Sequence, residues 1–301
     1  MTPDSGAPLG GLLCPITTPF LPSGEPSPER LAAQIEVYER WPLAGIVLFG
    51  TSGEGPMLDA DEEPPLLAAA RSALGPRRAL VAQVGHESLR ATLASARRAE
   101  AVGADALLCL PPRYYPLGRD GLAAFYRAVA HGCGLPVLAY HIPQRSHVDP
   151  GAELLCELAA EGTLAGIKES AGDIELQRAL RAAAGERFSI LNGSGALTLE
   201  ALHAGADGAI LAVADAAPEA ALAILDAHGA GDDDAAAAAQ RAIAPLAAAL
   251  GARFGVPGIK AALDHRGWPG GGPPRPPLAP VGAEARAEIA AALRVAGVDL
   301  S

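Results

Sequence analysis

Leu164-Ala165-Gly166-Ile167-Lys168-Glu169-Ser170-Ala171-Gly172-Asp173 is the stretch on which the reading of this 301-residue chain turns. Its first four residues are apolar and read as a short buried strand, and the strand ends in a lysine. Ser170 or Asp173 can cap a helix that starts at Ile174. A lysine at the carboxyl end of a buried strand loses hydration, which favours the neutral amine and frees it to attack a carbonyl carbon. The plain alternative is a lysine that snorkels out of the strand end to pair with a loop carboxylate. The rest of the chain must decide between them.

Outward from Lys168, strand-like and helix-like stretches alternate. Short apolar runs at 12–16, 46–49, 79–84, 106–110, 137–140, the Lys168 strand itself, 188–191 and 209–213 read as eight strands. Helical patterns lie between them. One is capped by Ser27 with Pro28 at its first position and runs to about Arg40, and the next is opened by Asp59 and Asp61. Others cover 88–102, a stretch ending near Ala130, 153–160, 174–184 and 196–204. Eight buried strands joined by helices imply parallel pairing through right-handed crossovers, and the closed arrangement of such units is the (β/α)8 TIM barrel. The strands are apolar throughout, as expected when helices cover one face and side chains fill the other. The barrel should occupy residues 1–228. An Ala-rich helical appendage should fill 229–301, with helices over 232–250, 258–266 and 284–295.

Composition narrows the function. Half the residues are hydrophobic and the net charge is -11, which argues against a general affinity for nucleic acid. Cys14, Cys109, Cys133 and Cys156 are scattered without metal-ligand spacing and read as reduced thiols. The opening Met1–Gly11 lacks a basic start and a long apolar run, and no stretch reads as a bilayer span. The expectation is a soluble cytoplasmic protein.

In such barrels, reactive groups sit at the carboxyl ends of strands. Here those positions bring Thr51 and Ser52, Tyr114 and Tyr115, Tyr140 and Arg145, Lys168, and Gly193 with Ser194 to one mouth. An amine that attacks a carbonyl compound needs a proton shuttle, and Tyr140 relayed through Thr51 can supply one. Thr51, Ser52 and the amides of a Gly-rich turn suit a carboxylate, and Arg145 suits a second anion. The plain alternatives are an aromatic barrel plug for Tyr140, an ordinary strand-to-helix turn for residues 50–54, and a surface ion pair for Arg145. Asn192-Gly193-Ser194-Gly195 could bind phosphate, but no basic residue stands beside it. The seven histidines are dispersed, with only His141 and His147 near a strand end, so a catalytic metal is not expected.

Six segments, in order, resemble the dihydrodipicolinate synthase / N-acetylneuraminate lyase family of Schiff-base barrels. They are Pro15–Phe20, Gly50–Glu54, Tyr140–Arg145, Gly166–Ser170, Gly193 with Gly205–Ile210, and Pro257–Leu263. The resemblance implies that Lys168 forms an imine with pyruvate or another 2-oxo acid, without metal or cofactor. It implies that Tyr140 is the acid/base and that Thr51 and Ser52 bind the carboxylate and relay protons. Gly193 and Ile210 would shape the pocket. Tyr114, or Tyr115 one step away, would be supplied to a neighbouring subunit in a homo-oligomer, by resemblance a tetramer. Arg145 matches the arginine of the synthases, and Ser52 stands where they usually carry a second threonine. No acid follows strand seven, so sialic acid is poorly served. Gly55-Pro56 is similar to members that cleave 2-keto-3-deoxy sugar acids, and His141 and His147 fit neither branch. The reading is therefore a lyase or aldolase joining or splitting pyruvate and an aldehyde, with a 2-keto-3-deoxy sugar acid as substrate. The alternatives are dihydrodipicolinate synthase itself, taking aspartate semialdehyde, and a ligand-binding regulator on the same fold.

Overall fold

In the computed structural model, residues 9–300 are described, so most of the opening segment read for a leader lies outside them. Eight strands run in chain order: β1 Gly11–Cys14, β2 Gly45–Leu48, β3 Ala79–Val84, β4 Ala106–Cys109, β5 Val137–His141, β6 Gly166–Glu169, β7 Ser189–Asn192 and β8 Gly208–Ile210. Each pairs in parallel with the next, and β8 pairs with β1, closing the barrel. This is the (β/α)8 barrel expected from the alternation.

Side chains alternate across each strand, so every residue has a fixed side. Leu13, Val47, Val81, Leu108, Leu138, Leu191 and Ile210 fill the interior. Leu12, Ile46, Leu80, Leu107 and Ile167 pack outward under the helices. The rule has a direct consequence for the mouth. The register sets Tyr140 opposite Lys168 and His141 opposite Glu169. Tyr140 belongs to the interior cluster. Lys168, its paired neighbour, therefore shares that side, while His141 and Glu169 face the helix layer.

Helix starts follow local chemistry. Ser27 caps Pro28–Tyr38 by accepting the Arg30 N–H, and Asp173, not Ser170, caps Ile174–Ala184 by accepting the Leu176 N–H. Other boundaries moved. The second helix begins at Glu63 and not at Asp59 or Asp61, because Pro64 and Pro65 fit only a first helical turn. Its approach includes a 3-10 turn, Gly55–Met57. The first strand stops at Cys14, where Pro15 ends the supply of N–H donors. β8 stops at Ile210, and Val213–Ala216 is already helical. A short apolar run alone cannot separate a buried strand from a buried helical turn.

The tail forms helices Asp233–Ala248, Gly255–His265 and Ala283–Val295. Its residues Ile243, Leu246, Ile259 and Leu263 are buried in the same core as the barrel strands. Pro245 lies inside the first of these helices, which passes into a π-helical turn at Ala249–Arg253. One expectation needs correcting here: Asp233–Arg253 is, by length and composition, apolar enough to cross a membrane. Its apolarity comes mostly from alanine, which buries little area per residue, and it carries Gln240, Arg241 and Pro245 mid-length.

Candidate active site

Lys168 is 5% exposed at the carboxyl end of β6. Its ammonium lies 4.5 Å from the centre of the Tyr140 ring and donates to the phenol oxygen at 3.4 Å. That phenol is 3.1 Å from Thr51 Oγ1. Amine, phenol and hydroxyl thus form one connected chain, set by the pairing of β5 with β6 and by the loop after β2. They line a cleft of about 450 Å³ with Pro15, Ser52, Ser170, Gly193 and Ile210, a size suited to a small ligand. A second cleft of about 470 Å³ joins it along Thr51, Tyr140, Ile142 and Arg145, and continues to Gln83, Arg113 and Arg253.

Thr51 and Ser52 sit in a strained loop. Phe49 and Glu54, on either side of it, have φ of +61° and +55°, conformations that cost about 1–3 kcal/mol for residues other than glycine. Gly55 has no alternative, since a Cβ there would lie 1.9 Å from the Phe49 carbonyl oxygen. The loop is held from outside: Thr18 Oγ1 donates to the Gly53 carbonyl at 2.6 Å. Glu54 is buried against Lys260 of the tail at 2.6 Å. Gly193 has a similar steric reason, because a Cβ would meet Ser170 Oγ at 2.0 Å.

Sequence reasoning gave no role to several residues that build this site. Glu169, fully buried, accepts the N–H groups of Ala171, Gly172 and Asp173 at 2.6–3.1 Å. His141 stands between Glu169 and Asp149, at 3.2 and 3.3 Å. Burial pulls its pKa down, but the hydrogen bonds and charges of Glu169 and Asp149 outweigh that and leave it raised. His141 therefore faces away from the cleft and braces the turn behind Lys168. The alternation Tyr140/His141 against Lys168/Glu169 was the signal that could have shown this. His147 is exposed at φ +57° as the cap of a four-residue helix.

Asp215 is the other omission. It is fully buried, its Oδ1 lies 3.8 Å from Cys14 Sγ, and its Oδ2 has no hydrogen-bond partner. Burial pushes its pKa well above the ordinary aspartate range, against the opposing pull of the Ser52 hydroxyl, the Thr17 N–H and the Lys168 charge. A carboxyl that stays protonated in the folded chain binds a proton that the unfolded chain has released. The contribution of Asp215 to stability therefore falls as pH rises above the ordinary aspartate pKa, until Asp215 itself ionises. Asp215→Asn should remove that slope, so urea unfolding at a series of pH values should show the variant gaining on the parent as pH rises. Parallel profiles would show that Asp215 is ionised in the folded chain.

Arg145 reaches the site from its rim, and Tyr114 stands apart from it. Arg145 lines both clefts at their junction, exposed, with its guanidinium donating to the Gly251 carbonyl of the π-helical turn at 3.3 Å. Tyr114 is 78% and Tyr115 68% exposed, edge to face at 5.0 Å. Tyr114 lines neither cleft, so within one chain it does not join the Lys168 group.

A closed parallel barrel with this mouth falls in the class of pyruvate-dependent lyase barrels. The chain belongs to the dihydrodipicolinate synthetase family, whose profile matches residues 8–296, and members of this family are carbon–carbon lyases. It is 37% identical over 297 residues to 4-hydroxy-tetrahydrodipicolinate synthase 1 of Streptomyces coelicolor, covering 97% of this chain and 95% of that one. It is 34% identical over 299 residues to an uncharacterized DapA-like lyase of Halobacterium salinarum, covering 98% and 97%. Among solved structures, it superposes with a TM-score of 0.90 and 28% identity on the chloride-inhibited dihydrodipicolinate synthase of Acinetobacter baumannii complexed with pyruvate, covering 97% of this chain and 100% of that one.

Proposed function

We propose that the chain forms or cleaves a carbon–carbon bond between pyruvate and an aldehyde through an imine on Lys168. The observation that carries the reading is the connected chain Lys168 Nζ, Tyr140 OH and Thr51 Oγ1 at the wall of one cleft. The amine attacks the 2-oxo carbon and water leaves as the imine forms. Tyr140 moves protons between the carbinolamine, the adjacent carbon and Thr51. Ser52 and Thr51 hold the pyruvate carboxylate, and Gly193 and Ile210 bound the methyl end.

Two aldehyde classes compete. The sugar-acid reading rested on Gly55-Pro56 and on the histidines. Gly55 is accounted for by the Phe49 contact and His141 by the Glu169 brace, so neither argues for a sugar. The room of the second cleft still favours a long hydroxylated substrate. Arg145 at the junction, without a carboxylate partner among the described residues, favours an aldehyde that itself carries a carboxylate, as aspartate semialdehyde does. Support for the latter also comes from the name of the Streptomyces coelicolor relative. In a coupled assay, pyruvate with aspartate semialdehyde should turn over, and Arg145→Ala should raise KM for the aldehyde at least tenfold while leaving KM for pyruvate unchanged. Cleavage of 2-keto-3-deoxygluconate, with no turnover of aspartate semialdehyde at saturation, would select the sugar-acid class. No reaction with either would favour a binding role. The exposed Tyr114/Tyr115 pair would complete the proton relay of a second copy, in an oligomer.

A further inference from the structure

His203 closes the helix Thr198–His203, His228 lies in the last turn of Pro218–Gly229, and Asp233 opens the tail helix Asp233–Ala248. The two histidines lie apart in the sequence, and helix packing brings them together. Barrel helices run back against their strands, so helix ends of this kind lie at the face opposite the catalytic mouth. The two rings are 5.1 Å apart, edge to face. His203 Nε2 is 3.1 Å from Asp233 Oδ1, and one donor atom from each of the three residues falls within 4.8 Å of the others. A separate observation points to a ligand: His228 Nδ1 is enclosed and has no hydrogen-bond partner. An enclosed ring nitrogen left unpaired costs free energy that a bound ion would recover.

We propose that His203, His228 and Asp233 form a site for one divalent transition-metal ion, Zn²⁺ by its ligand chemistry, which ties the tail helix to the floor of the barrel. Two imidazoles and one carboxylate with an open position suit zinc, whose bonds of about 2.0–2.2 Å place tetrahedral donors roughly 3.3–3.5 Å apart. The present separations contract to that range through the exposed His203 and Asp233, whose side chains are 47% and 76% accessible. The half-buried His228 is the anchored ligand. The ion would do no chemistry at the mouth.

The test is calorimetric titration of the full chain, stripped with chelator and desalted, with zinc chloride. One saturable site should appear with Kd of about 10 µM or tighter, and saturating zinc should raise the thermal midpoint by several degrees. His203→Ala and Asp233→Asn change exposed side chains, so each should leave the zinc-free midpoint and the turnover unchanged. Each should weaken zinc at least tenfold and abolish the thermal gain. Absence of saturable binding in that range would overturn the proposal. Undiminished binding in both variants would also overturn it, by placing the ion elsewhere.

Discussion

Lys168→Arg abolishes turnover, by a factor of at least about 10³, and abolishes covalent capture of pyruvate. A guanidinium stays protonated and cannot attack a carbonyl, although it keeps the positive charge. The chain makes the experiment clean, because Lys168 and Lys260 are its only lysines. Incubation with pyruvate and borohydride should reduce the imine to a stable secondary amine, inactivate the protein and add one pyruvate-derived mass to the peptide holding Lys168. Lys260 is fully buried, paired with Glu54, and donates to the carbonyls of Thr18 and Pro273 at 2.9 and 3.0 Å. It should carry no label in the folded chain. Tyr140→Phe removes the proton carrier but not the nucleophile, so it should lose most turnover, about 10²-fold or more, and still label slowly. Label on Lys260 alone, or normal activity in Lys168→Arg, would return Lys168 to the plain role of a strand-end cation.

Lys260→Met is expected to be the most destabilising single change away from the chemistry. Its ammonium is 2.6 Å from Glu54 and 4.4 Å from the centre of the Phe20 ring. Burial pushes its pKa down, and the Glu54 charge and hydrogen bond restore part of the loss. Truncating one partner leaves the Glu54 carboxylate, 3% exposed, without its counter-charge. Breaking a buried pair in this way costs about 3–5 kcal/mol. Glu54 also ends the loop that presents Thr51 and Ser52, so kcat/KM should fall along with stability. The pairing argument predicts more than a packing argument would: adding Glu54→Gln to Lys260→Met removes the orphaned charge and should recover part of the stability. A loss under about 1 kcal/mol for Lys260→Met, or no recovery in the double variant, would mean that the ion pair does not hold this loop.

The sequence by itself determined the barrel and singled out the lysine proposed as its nucleophile. Buried strands and intervening helices recur along the chain, and a parallel sheet closed through helical crossovers is the arrangement that buries them all. Strand-end position then made Lys168, Tyr140 and Thr51 candidates for one mouth, because the chain leaves each strand at the same face. Tertiary structure decided what depends on register and on contacts between distant segments. The pairing of Tyr140 with Lys168 turned His141 and Glu169 to the opposite side, so a histidine that read as a departure in the substrate pocket became a brace behind it. Asp215 lay just past the run that read as the last strand, and only the helical turn at Val213–Ala216 placed its carboxyl where Ser52 and Lys168 act on it. Lys260 and Glu54, more than two hundred residues apart, could not be matched by spacing. A buried charge finds its partner through packing, and packing is set by the whole fold, whereas an apolar run or a helix cap is set within a few residues of itself.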